Sequence, residues 1–167
     1  MKQLKLYNVI FPLWFIMFFP PVVFITLAGN FIIDSLVIVA CFFIYKLAGT
    51  GNNLKTFYTK SVFQVWIFGF ISDIIGATIL FLFGMFGDYF GLPYEMANGI
   101  NFDPYSYPWA IVIIVLSMLI AAIFIFIFNY KITLREMDDR KLRFKVAITL
   151  AIITMPWTFL LPTKWFY

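Results

Sequence analysis

The chain contains no histidine and a single cysteine, Cys41. Without an imidazole there is no axial ligand for haem, no histidine for zinc or copper, and no Ser-His or Cys-His pair to activate a nucleophile. One cysteine cannot close an intrachain disulfide, and it leaves the redox compartment unreadable. Charge is scarce as well. Only 12% of the 167 residues are Asp, Glu, Lys or Arg, against about 25% in soluble domains. There is no GxGxxG, P-loop, CxxC or GxSxG motif, no heptad and no low-complexity tract. No cofactor, no metal site and no catalytic residue is expected, and the chain reads as something other than an enzyme.

What fills the chain instead is apolar. Hydrophobic residues make up 63% of it, with 23 Phe, and the mean hydropathy is +0.96. Such a composition predicts an all-α membrane protein, with 1–167 a single integral membrane domain. A membrane-spanning helix needs about 20 apolar residues, so four to six spans fit and no soluble domain does. The net charge of +4 predicts no nucleic-acid partner, because the basic residues flank the apolar runs. The N-terminal "MKQLK" and the apolar run behind it resemble a signal peptide. That run, from Val9 to Leu27, exceeds the usual core of about 7–15 residues and carries Pro12, Pro20 and Pro21, so a retained helix is expected.

The stretch from Leu6 to Tyr45 is too long for one span. As a single helix it would reach about 60 Å, twice the hydrocarbon thickness of about 30 Å. Gly29-Asn30 offers a turn, glycine ending one helix and asparagine capping the next. Helices are therefore predicted over about 6–28 (kinked near Pro20), 31–47, 61–86, 109–130 and 146–161 (kinked at Pro156): a bundle of five transmembrane helices, or four if the first two are fused. Residues 48–60 and 87–108 read as loops. With five spans, the basic residues before the first helix (Lys2, Lys5), between the second and third, and between the fourth and fifth share one side. By the positive-inside rule the N-terminus is then cytoplasmic. A multi-pass protein of the plasma membrane is the expectation.

Two similar stretches carry the chemistry. "FIIDSL" places Asp34, and "FISDII" places Asp73, inside apolar sequence. An ionised aspartate at a helix centre costs about 2.5–3.5 kcal/mol on insertion scales. Asp73 falls near mid-membrane with no Lys or Arg at its depth, so it carries a proton or holds a cation. Hydroxyls at that depth are Ser72, Ser117 and Thr154. Gly69, Ser72, Asp73 and Gly76 share one helix face, as close helix packing or a polar path requires. Asp34 is expected just after the Asn30 cap, near the external surface, favoured by the helix dipole and within reach of Lys164. The likeness of the two stretches is attributed mostly to Phe- and Ile-rich composition.

Elsewhere, the aromatics of 87–108 suit an interfacial belt. In the basic segment 131–145, Glu136–Arg140 and Arg135–Asp139 sit at i,i+4 and support a helical extension. That segment is expected to lie on anionic headgroups. The reading favoured is a proton- or cation-coupled transporter or channel using Asp73, lined by Gly69, Ser72 and Gly76, with Asn30 and Asp34 at an external mouth. Such a small bundle is expected to form a homo-oligomer. The alternative is a non-transporting subunit or assembly factor bound to a membrane-protein partner.

Overall fold

The structure, a computed structural model, describes residues 11–50 and 53–166. Every regular element among them is helical: α1 (Leu13–Ile16), α2 (Val22–Ile44), α3 (Leu54–Met85), α4 (Tyr94–Asn101), α5 (Pro108–Phe128) and α6 (Arg140–Thr154), joined by short turns. Four are long and apolar enough to cross a membrane: α2, α3, α5 with the π turn Asn129–Thr133 that continues it, and α6 with the turn that carries it to Leu160.

Local chemistry sets the helix ends. Asn53 caps α3, its side chain accepting from the Lys55 backbone N–H at 2.9 Å. Asp139 caps α6, accepting from Lys141 and Leu142 at 2.8 and 3.1 Å. Such caps contribute about 1 kcal/mol each. Pro108 opens α5, where its missing N–H is harmless. Pro156 ends α6 because it cannot donate to the carbonyl of Ile152. The Trp157 indole N–H donates to that carbonyl instead, at 3.2 Å.

Several sequence expectations need correction. No turn exists at Gly29-Asn30, and α2 runs unbroken through both. Capping logic assumes water beside the helix end. In a hydrocarbon setting the backbone has no other partner, so a glycine is carried along inside the helix. The break lies earlier, at Pro20-Pro21, between α1 and α2. The predicted separate helices over 6–28 and 31–47 are thus one long helix, apolar enough to span a membrane, behind a short one, as far as the described residues extend. Helix α3 starts seven residues before the predicted 61, under the Asn53 cap. The loop 87–108 holds α4. Residues 134–139 are not helical, so the predicted i,i+4 pairs do not form, and Glu136 bonds to Lys60 at 2.8 Å.

The four long helices close into a ring: α2 on α3, α3 on α5, α5 on α6 and α6 on α2. Polar clamps tie the seams. Ser117 donates to the Gly76 carbonyl at 2.6 Å in the buried α3–α5 contact, and the Trp66 indole donates to the Leu27 carbonyl at 2.9 Å. Inside the ring lie two apolar clusters. One gathers Ile38, Cys41, Val65, Val146 and Leu150. The other gathers Trp14, Leu80, Ile114, Met118 and Phe159.

Ion pairs identify the two ends. Lys60–Glu136 joins the start of α3 to the loop after α5. Lys164–Asp103, at 2.5 Å, joins the C-terminal segment to the loop before α5. The N-terminal segment lies at this second end, with Leu13 N–H donating to Thr163 Oγ1 at 2.9 Å and the Trp14 indole to the Ile100 carbonyl at 3.1 Å. Residues 11–16 therefore lie at the end opposite the basic segments, because α2 runs as one continuous helix where two helices were expected. Lys2 and Lys5 lie outside the described residues.

Candidate functional site

Asp34 is not a helix-start residue. It stands twelve residues beyond Val22, about 18 Å along α2 at helical rise. It is buried, at 3% exposure. Lys164 does not reach it and pairs with Asp103. Asp73, nineteen residues beyond Leu54 in the antiparallel α3, is 9% exposed. The two acids line one cavity of about 100 Å³, with Thr26 and Asn30 from α2, Gly69 from α3 and Thr154 from α6 also on its wall. The segment Met155–Phe159, where α6 breaks, closes one side, and Met17 and Phe18 close another. In sequence the pocket's α3 residues fall between Val65 of the first apolar cluster and Ala77 of the second, and its α6 residues lie just beyond Leu150 of the first.

The contacts are sparse. Asn30 Nδ2 donates to Asp73 Oδ2 at 3.3 Å. Asp73 Oδ1 is buried with no hydrogen-bond partner. Neither oxygen of Asp34 receives a hydrogen bond among the described residues. Gly69 leaves room for that carboxyl: a Cβ there would sit 3.7 Å from Asp34 Oδ2. The hydroxyls of Thr26 and Thr154 donate back to the Val22 and Leu150 carbonyls of their own helices, at 3.1 and 2.9 Å. Their oxygens then present only lone pairs to the cavity. The C-terminal end of α6, with its partial negative charge, adjoins the same space. No Lys or Arg lines it. Among the described residues, the Asn30 amide is the one side chain that donates to either carboxyl, and the Thr158 hydroxyl also lines the cavity.

The predicted face of small residues divides. Gly69 and Asp73 turn to the cavity. Ser72 is fully buried and donates to the Phe68 carbonyl at 2.7 Å within its own helix. Gly76 packs on α5 and the α6 extension, where a Cβ would lie 3.1 to 3.3 Å from Phe159, Ala121 and the Ser117 carbonyl. Ser72 and Ser117 therefore serve helix packing rather than Asp73. Sequence reasoning missed Thr26, although Thr26, Asn30 and Asp34 repeat at the i,i+4 spacing of one helix face.

Comparison with known proteins is negative throughout: no protein-family model, no curated protein and no solved structure matches this chain.

Proposed function

We propose that this is a small polytopic protein of the plasma membrane that passes a proton or a small cation through the Asp34–Asp73 site. The observation carrying the reading is two buried carboxyl groups in one cavity with a single donor between them. Two carboxylates in a dry site do not both ionise alone; a proton or a cation must join them. Intramembrane acids facing a cavity mark ion and proton pathways. The broken end of α6 supports the same reading, since interrupted helices in transporters supply carbonyl oxygens at their C-terminal ends to coupling ions. Size sets the ligand class. About 100 Å³ holds roughly three waters at about 30 Å³ each, enough for a hydrated proton or a partly dehydrated monovalent cation and too little for a metabolite.

The orientation proposed follows from charge. Nine of the twelve Lys and Arg belong to residues 46–60 and 131–145, at one end of the bundle. That end faces the cytoplasm under the positive-inside rule. With four spans, α1 and the C-terminal segment then face outward.

A second reading, a non-transporting subunit or assembly factor, draws on α2. Its outer face exposes Phe24, Ile25, Ile32, Leu36 and Phe43, and another membrane helix would cover it as well as lipid does. Ion flux into proteoliposomes separates the two. Flux that disappears in Asp73→Asn supports the transport reading. A parent protein that passes neither protons nor monovalent cations, yet co-purifies with a membrane partner, supports the second.

A further inference from the structure

A separate cavity of about 440 Å³ opens at the basic end, between the start of α3 and the π turn that follows α5. The π turn makes the space. Leu134 N–H reaches back five residues to the Asn129 carbonyl at 2.9 Å, so the helix carries an extra residue in one turn and bulges. Such bulges are frequent at functional sites.

Two buried hydroxyls on the wall are unused. Ser61 is 3% exposed, and its hydroxyl makes no hydrogen bond among the described residues. Thr133 Oγ1 is buried with no partner. Two cations stand with them. The Arg135 guanidinium donates to no acceptor among the described residues. Lys60 is held by Glu136 in an ion pair whose side chains are 61% and 67% exposed, and exposed pairs of this kind exchange partners readily. Glu136 is the one acid on the wall, leaving the cavity a net positive charge. Hydroxyl donors beside Lys and Arg form the donor set that recognises a tetrahedral oxyanion.

Position selects the carrier of that anion. This end holds the clustered Lys and Arg that flank the spanning helices, which is the depth of lipid headgroups, and basic pockets between helices there bind anionic ones. Ile132, 43% exposed, lines the same cavity and offers an apolar wall to the start of an acyl chain. We propose that the cavity binds the phosphate of an anionic membrane lipid, with Arg135 and Lys60 neutralising it and Ser61 and Thr133 donating to its oxygens.

The test uses the full-length protein in detergent micelles doped with dioleoylphosphatidylglycerol, read by native mass spectrometry and thermal denaturation. One lipid is expected to stay bound and to raise the melting temperature saturably. Arg135→Gln and Thr133→Val should each weaken that response, Arg135→Gln by about tenfold, as loss of a charge-assisted hydrogen bond implies. Arg140→Gln, which removes an exposed charge of the same kind away from the cavity, should leave it unchanged. Equal weakening by Arg140→Gln would reduce the effect to general surface charge and overturn the site. Equal retention of dioleoylphosphatidylcholine would overturn the need for an anionic lipid. Displacement of the lipid by millimolar inorganic phosphate would assign a soluble phosphate and overturn the lipid.

Discussion

Asn30 and Asp73 meet across the α2–α3 seam, amide nitrogen to carboxyl oxygen at 3.3 Å. The asparagine expected to cap a helix is instead the one side chain among the described residues that donates to this buried acid. The contact is long for a hydrogen bond, and the other oxygen of Asp73 has no partner among the described residues. An acid held this loosely is available to a ligand. Asp73→Asn should preserve the Asn30 contact while removing ionisation. Proteoliposome flux should fall by about a hundredfold or more, the scale of losing a positioned proton-transfer group. Thermal stability in detergent should hold or rise. Asp73→Leu should instead destabilise by about 1–3 kcal/mol, because it leaves the Asn30 amide unpaired. Undiminished flux in Asp73→Asn would end the carboxyl mechanism.

Asp34 and Asp73 share a cavity, so their substitutions should not add. Neutralising either one relieves the other of a nearby like charge. In a double-mutant cycle of Asp34→Asn and Asp73→Asn, measured by thermal denaturation, a coupling of about 0.5–3 kcal/mol is expected, the range for residues in one network. Additivity within about 0.3 kcal/mol, as for distant sites, would show that the two carboxyls act independently.

Glycines 29 and 76 test the packing in opposite directions. Nothing lies within 4 Å of a Cβ built at Gly29. In a continuous helix Gly29→Ala should then stabilise by up to about 1 kcal/mol, the glycine-to-alanine difference in helices. A chain that turned there would lose stability instead. Gly76→Val should destabilise by about 1–3 kcal/mol, as overpacking does, since Phe159, Ala121 and the Ser117 carbonyl already crowd the site. Melting curves in one detergent decide both.

The spanning helices were legible where apolar runs were long and ended by strong signals. The run 109–130 matches α5 closely, opened by Pro108, and Pro156 marked the break in α6. Gly29-Asn30 misled because a cap needs water or another partner at the helix end, and α2 runs straight through both residues. Helix α4 was hidden by its short, mixed sequence, although Pro93 and Glu95 form a fair start signal. The meeting of Asp34 with Asp73 was beyond reach for a different reason. It depends on the register between antiparallel α2 and α3, which hydropathy leaves open. A helix start at Asn30 puts Asp34 near the surface and separates the two FIxD stretches. A continuous α2 moves Asp34 to the middle of its helix and into the same cavity as Asp73.

Lys60 and Glu136 give the basic end its own pH response. The hydrogen bond from Lys60 and its charge hold the Glu136 carboxyl below its usual range. A carboxyl depressed in the folded state contributes stability above its unfolded pKa and loses it as pH falls through the folded value. The tie between the start of α3 and the π turn should therefore loosen only in acid, below the ordinary glutamate range. Both groups are exposed, so high salt should weaken it as well. After correction for the intrinsic pH dependence of amide exchange, protection of residues 129–137 should fall at low pH or high salt in the parent and respond to neither in Glu136→Gln. Equal sensitivity in the variant would mean that the ion pair does not hold the turn.

Threading is open to a labelling experiment. Four spans with the basic end inside put Lys164 outside and Lys141 inside. Cys41 is fully buried, so the native thiol should stay silent to a membrane-impermeant maleimide. Lys164→Cys should label in intact cells. Lys141→Cys should label only after lysis. Both side chains are exposed, so neither change disturbs packing, although Lys164→Cys gives up the bond to Asp103. Five spans with the same basic end inside would leave these two labels where they are, because the difference lies before the first basic loop. A third position resolves it. Phe11, 46% exposed, stands at the Lys164 end through the Leu13–Thr163 and Trp14–Ile100 contacts. Phe11→Cys labelled from outside, together with Lys164→Cys, fixes one crossing between α1 and the first basic loop. Label at Phe11→Cys only after lysis would restore the extra crossing and place α1 at the opposite end from that observed.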